Sequence, residues 1–159
     1  MLTIGQPTIL PMPPLSTRLQ SLQASIPAGE PILARVDVPF LMDFKRNPIY
    51  VVDDPGMVSP PPGMPVNQGA EALAKYLLDL GIRFVVFSYD NEANFSYQNY
   101  AYRLGPEQHP IRRTVASRIF DFNKSLQQLA LTRRHHYDDG MAFALDLDDR
   151  TVPDSSTTR

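Results

Sequence analysis

Hydrophobic and polar positions alternate with two different periods along this chain, and both are clearest between Asn67 and Tyr89. Ala70, Leu73, Leu77 and Leu80 recur at steps of three and four, which lines one face of a helix, while Glu71, Lys75 and Asp79 fall elsewhere on its surface. Asn67 is positioned to accept a bond from a free N–H at the start, and Gly81 to take the left-handed conformation that ends a helix. The continuous apolar run from Phe84 to Phe87 then predicts a strand covered on both faces.

Upstream, Leu15, Leu19, Leu22 and Ile26 predict a helix, with Ser16 or Thr17 as its cap. Ile32 to Val38 reads as the first strand and Ile49 to Val52 as the second, the latter stopped by the turn residues Asp53, Asp54, Pro55 and Gly56. Between them, Pro39 to Phe44 forms one helical turn or a packed loop, anchored on the core by Phe40, Leu41 and Phe44. Downstream, Ile111, Val115, Ile119, Phe122, Leu126 and Leu129 make one stripe on a long helix, with Pro110 at its first position and Arg133 and Arg134 at its end. Met141, Phe143, Leu145 and Leu147 alternate with Ala142, Ala144 and Asp146, a half-buried strand joined to residues 135–137 by the turn Asp138-Asp139-Gly140. The expected fold is α/β: a mixed central sheet of about five strands flanked by helices and closed by a C-terminal β-hairpin. Residues 1–14 are expected to be an extended proline-rich leader, 15–149 a single domain and 150–159 a disordered tail.

Composition narrows the function classes. The 159 residues suit one core, and 43% hydrophobic with 20% charged residues is ordinary for a globular protein. A net charge of −2 gives no general attraction to nucleic acid or to an anionic membrane. With no cysteine there is neither disulfide nor thiolate chemistry, and the compartment stays open. No apolar run reaches the roughly 18 residues of a spanning helix, so the chain is expected to be soluble as written. No cofactor is expected, because P-loop, dinucleotide-binding, nucleophile-elbow and paired Cys/His motifs are all missing.

Two constellations carry the candidate chemistry. If the first three strands run parallel, their ends gather Asp37, Asp53, Asp54, Ser88, Tyr89 and Asp90 at the edge where open α/β sheets bind ligands. Paired carboxylates there suit a divalent cation, sugar hydroxyls or acid–base work, and they equally suit the hydrogen bonding of turns. Beyond Tyr89 lies a long segment to Pro110 in which Tyr89, Phe95, Tyr97, Tyr100 and Tyr102 interleave with Asn91, Asn94, Gln98 and Asn99. Flat aromatic faces beside amide groups match a sugar-contacting surface, a protein interface, or a loop folded back on the core. The candidate binding residues are therefore Tyr89, Asp90, Asn91, Asn94, Tyr97, Asn99, Tyr100, Asp53 and Asp54.

Other patterns read as structural. His135 and His136 are adjacent in a strand and point to opposite faces, so they do not share a metal. Asp146 and Asp148 form an Asp-x-Asp that reads as a solvated strand end, and Arg112, Arg113, Arg118, Arg133 and Arg134 as the solvated face of a helix.

The runs IPAGEPILARVDVPFLMDFKRNPIYVVDDPG (26–56), SPPPGMP (59–65), GAEALAKYLLDLGIRFVVFSY (69–89) and LQQLALTRRHHYDDGMAFALDL (126–147) resemble a known family. It is the soluble C-terminal domain of bacterial GT-C-type, mannosyltransferase-like membrane glycosyltransferases. The resemblance spans roughly Ser25 to Asp149 and rests on architecture. It implies that catalytic acids and the lipid-linked sugar site lie among membrane helices, which this chain lacks, so no catalytic residue carries over. The expected function is non-catalytic recognition of a glycan, a lipid-linked sugar or a protein partner, including the membrane portion of such an enzyme. A small stand-alone enzyme with an acidic, metal-assisted site at the sheet edge is the alternative. Attachment to a membrane glycosyltransferase implies an extracytoplasmic location, and a free-standing chain a cytoplasmic one.

Overall fold

A computed structural model describes residues 12–36, 38–52, 63–89 and 110–150, apart from the side chain of Arg112. In chain order the elements are α1 (Leu15–Ala24), β1 (Ile32–Arg35), a 3-10 turn (Pro39–Leu41), β2 (Ile49–Val51), α2 (Ala70–Asp79), β3 (Phe84–Ser88), α3 (Pro110–Thr132), β4 (Arg133–Asp138) and β5 (Ala142–Arg150). The strands form one mixed sheet in the order β2-β1-β3-β5-β4. β1 pairs in parallel with both β2 and β3, whereas β5 runs antiparallel to both β3 and β4. This is the expected α/β architecture, with a C-terminal hairpin whose second strand lies inside the sheet.

The sheet separates two apolar layers. On one face Leu33, Val85, Phe87, Phe143, Leu145 and Leu147 pack against Leu73 and Leu77 of α2 and Phe122, Leu126 and Leu129 of α3. On the other, Ile32, Ala34, Phe84, Val86, Ala142 and Ala144 pack beneath Leu19 and Leu22 of α1, with Ile26 and Met42. Alternate residues of β1, β3 and β5 thus feed opposite layers, as the pleat requires.

Several local expectations give way to packing. β5 is buried on both faces from Ala142 to Leu147, because it is a central strand. Its alternation is one of size, with large residues toward α2 and α3 and alanines toward α1, and the strand continues through Asp148 to Arg150. Asp146 is buried, with its two carboxylate oxygens engaged by Arg83, so the Asp-x-Asp is not a solvated end. The basic residues predicted for the end of the long helix instead begin β4. Arg133 is buried, donating from Nε to the Leu147 carbonyl at 2.8 Å and from Nη2 to Glu71 of α2 at 2.8 and 3.0 Å.

Helix entries also differ. α1 starts directly after Pro14, without a side-chain cap from Ser16 or Thr17, and α2 starts after Gly69 at φ 87°. Asn67, at φ 55°, instead donates its backbone N–H to Asp121 of α3 at 2.8 Å, tying the approach to α2 onto its neighbour. At the other end Gly81, at φ 77°, takes the expected left-handed conformation, and the Ile82 N–H bonds the Leu77 carbonyl at 2.9 Å. Phe40 and Phe44 are 73% and 51% exposed, Leu41 packs against the core as expected, and Met42, at 4%, enters it.

Candidate functional site

All three parallel strands end at one edge of the sheet, and the β4–β5 turn arrives at the same edge because β5 runs opposite to β3. Of the candidate binding residues, Tyr89 falls here. Asp53, Asp54, Asp90, Asn91, Asn94, Tyr97, Asn99 and Tyr100, together with Asp37, lie outside the described residues.

Tyr89 is held at three points. Its backbone N–H donates to the Met141 carbonyl at 2.9 Å, extending the β3–β5 ladder by one bond. Its ring meets Phe143 edge-on at 4.8 Å between centroids. Its hydroxyl donates to Asp138 Oδ2 at 2.5 Å. Burial, reinforced by the Asp138 charge, pushes the phenol up to about 12, so it serves as a hydrogen-bond donor and not as a base near neutrality.

Asp138 is the centre of this cluster. Its Oδ2 also lies 3.1 Å from His135 Nδ1, and its Oδ1 accepts the Gly140 N–H at 2.9 Å. Burial works against the charged carboxylate, yet the bonds from Tyr89, Gly140 and His135 hold it below the usual carboxylate range. The other ring nitrogen of His135 lies 2.8 Å from the Ala130 carbonyl in the last turn of α3, and the ring stacks on Phe143. Phe143 therefore sits between Tyr89 and His135, and Asp138 bridges their polar ends.

Asp139 points toward the other face. Its Oδ1 accepts the Met141 and Ala142 N–H groups at 3.0 and 2.9 Å, and its Oδ2 takes Arg18 Nε of α1 at 2.7 Å. Burial again opposes the charge and these donors outweigh it, so its carboxyl too is lowered. Next to it, Leu15, Leu19, Leu22, Val36, Val38, Ser88, Met141 and Ala142 line an apolar recess of about 10 Å³, room for roughly one water. Ser88, buried, lines the recess together with Arg18 and Asp139. Arg35, the last residue of β1, is also buried at this edge and donates from Nη1 to the Val52 carbonyl at 2.8 Å.

Both turn carboxylates are thus engaged by donors from β3, β4, α1 and the turn itself. This arrangement orients hydrogen-bonding groups; it does not split a carboxyl pair into acid and base. His136 points to the opposite face from His135, as the strand period requires, and lies 3.3 Å from the Ser25 carbonyl and 3.5 Å from Asp146. Among the described residues no three potential ligands gather to hold a metal ion, and no helix is long and apolar enough to cross a membrane. Elsewhere, Val66, Asn67, Pro110, Arg113, Thr114, Ser117 and Arg118 line a cleft of about 580 Å³ where α3 begins.

The Tyr89, Asp138 and His135 cluster was half visible in the sequence. The Asp-Asp-Gly turn and the end of the apolar strand are each readable, but their meeting depends on β5 pairing with β3, which no local pattern specifies. The fold class is that of a three-layer mixed α/β domain. No family model, curated protein or solved structure matches the chain.

Proposed function

We propose that this chain is a non-catalytic recognition domain of the kind that accompanies membrane glycosyltransferases, and that it contacts a carbohydrate at the edge formed by Tyr89 and the β4–β5 turn. The observation that carries this reading is the commitment of Asp138 and Asp139. Each carboxylate is lowered and bonded by several donors, so among the described residues the edge presents oriented acceptors beside aromatic rings. Sugars are recognised by that pairing of flat apolar faces with directional hydrogen bonds. The tyrosine- and asparagine-rich segment that follows Tyr89 in the sequence has the composition to extend such a surface.

Titration with a panel of neutral oligosaccharides and a lipid-linked sugar tests the reading. Binding is expected, and Tyr97→Ala and Tyr100→Ala are expected to weaken it at least about tenfold, the scale of one lost stacking contact, while leaving the melting temperature in place. A wild-type chain inert to every sugar would overturn it. A melting temperature raised by Mg²⁺, Mn²⁺ or Ca²⁺ would instead favour a stand-alone enzyme working through Asp53, Asp54 and Asp90.

A further inference from the structure

His135 lies between two acceptors. Its Nε2 is 2.8 Å from the Ala130 carbonyl oxygen and its Nδ1 is 3.1 Å from Asp138 Oδ2. A carbonyl oxygen only accepts, and an ionised carboxylate only accepts. A neutral imidazole carries one N–H, so either tautomer leaves one ring lone pair facing an oxygen lone pair. The imidazolium donates to both. The ring's second proton therefore decides whether this side chain ties α3 to the β4–β5 turn or holds only one of them.

The groups facing the ring come from every element around it. α3 contributes the Ala130 carbonyl, the residue after β3 the Tyr89 hydroxyl that shares Asp138 Oδ2, β5 the apolar Phe143 ring, and β4 the Asp138 carboxylate. Beyond Asp138, the Asp139 charge is matched by Arg18. His136 sits on the opposite face, 3.5 Å from the Asp146 carboxylate that Arg83 bonds.

We propose that His135 is a proton-operated fastener of the edge. With both ring nitrogens protonated it joins the end of α3, the Asp138 turn and the end of β3 into one unit, and loss of a proton releases one side. The inference depends on the preceding section only in that the fastened edge is read there as the recognition surface.

The test needs no ligand. In ¹⁵N-labelled protein, the Gly140 amide reports on Asp138 Oδ1, and the His135 ring nitrogens report their own protons. On lowering the pH from about 8 to 5, the Gly140 resonance is expected to move through one inflection. That midpoint should coincide with the appearance of protons on both nitrogens of His135. His135→Gln should abolish the inflection and His136→Gln should retain it. A featureless Gly140 titration, a midpoint that differs from that of the His135 ring, or an inflection that survives in a folded His135→Gln variant would each overturn the proposal. Because sugar binding is measured separately, loss of the carbohydrate reading leaves this titration unchanged, and the reverse also holds.

Discussion

Arg83 and Asp146 meet through two parallel hydrogen bonds, Nε to Oδ1 at 2.7 Å and Nη2 to Oδ2 at 2.6 Å, although their side chains are 46% and 2% exposed. The pair joins the entry of β3 to the middle of β5, and the Leu147 N–H bonds the Arg83 carbonyl at 3.0 Å beside it. Unequal exposure makes the two partners unequal to lose. Arg83→Ala leaves a buried carboxylate with the Asp148 N–H as its close donor and should cost about 3 kcal/mol. Asp146→Ala lets the half-exposed guanidinium return to water and should cost less, about 1–2 kcal/mol. The double variant should be close to Asp146→Ala alone. Urea unfolding of the three variants measures this ordering, and equal costs for the two single changes would contradict it.

Acid stability follows from the same kind of contact. Glu71 is lowered mainly by its bond from Arg133, and Asp138, Asp139 and Asp146 are lowered by their donors against the opposing effect of burial. A carboxyl lowered in the folded state adds stability that is complete above its unfolded value, about 4, and is lost as the pH falls through its folded value. Stability should therefore hold from pH 7 to about 5 in these terms and decline below about 4. Asp146→Ala should flatten that decline. Denaturation midpoints at pH 7, 5, 4 and 3 provide the check.

The turn after β1 offers a contrast within three residues. Met42→Ala should cost about 2–4 kcal/mol, since it empties space under α1. Phe40→Ser should stay within about 0.5 kcal/mol, because that ring is solvated. Thermal melts of the two variants decide the matter, and a large loss in Phe40→Ser would mean that the exposed ring packs against something.

That contrast illustrates what the sequence conveys. Period and turn chemistry located every described strand and helix, since Leu73, Leu77, Phe122, Leu126 and Leu129 repeat as a helix must and Phe84 to Phe87 as a buried strand must. Phe40 and Met42 lie in a stretch without a period, where apolar character alone favours the wrong residue. The partner choices were equally hidden. Arg133 binds Glu71 across 62 positions and Tyr89 binds Asp138 across 49, and both distances are set by the long-range sheet order. Burial of Asp146 was concealed for the same reason: its neutralising cation belongs to another strand's approach, 63 positions away.

Strand order has one more consequence. β5 pairs on both sides, yet it is the last of the described strands to leave the ribosome. Until Phe143, Leu145 and Leu147 have emerged, β3 has an open edge and α2 and α3 have half a floor. A nascent chain stopped before Ala142 would display an unpaired apolar strand, the form in which β-rich intermediates aggregate. Closure of the sheet thus waits for β5, the last of the described strands, and protection of the β3 edge until then keeps the incomplete sheet from pairing with other chains.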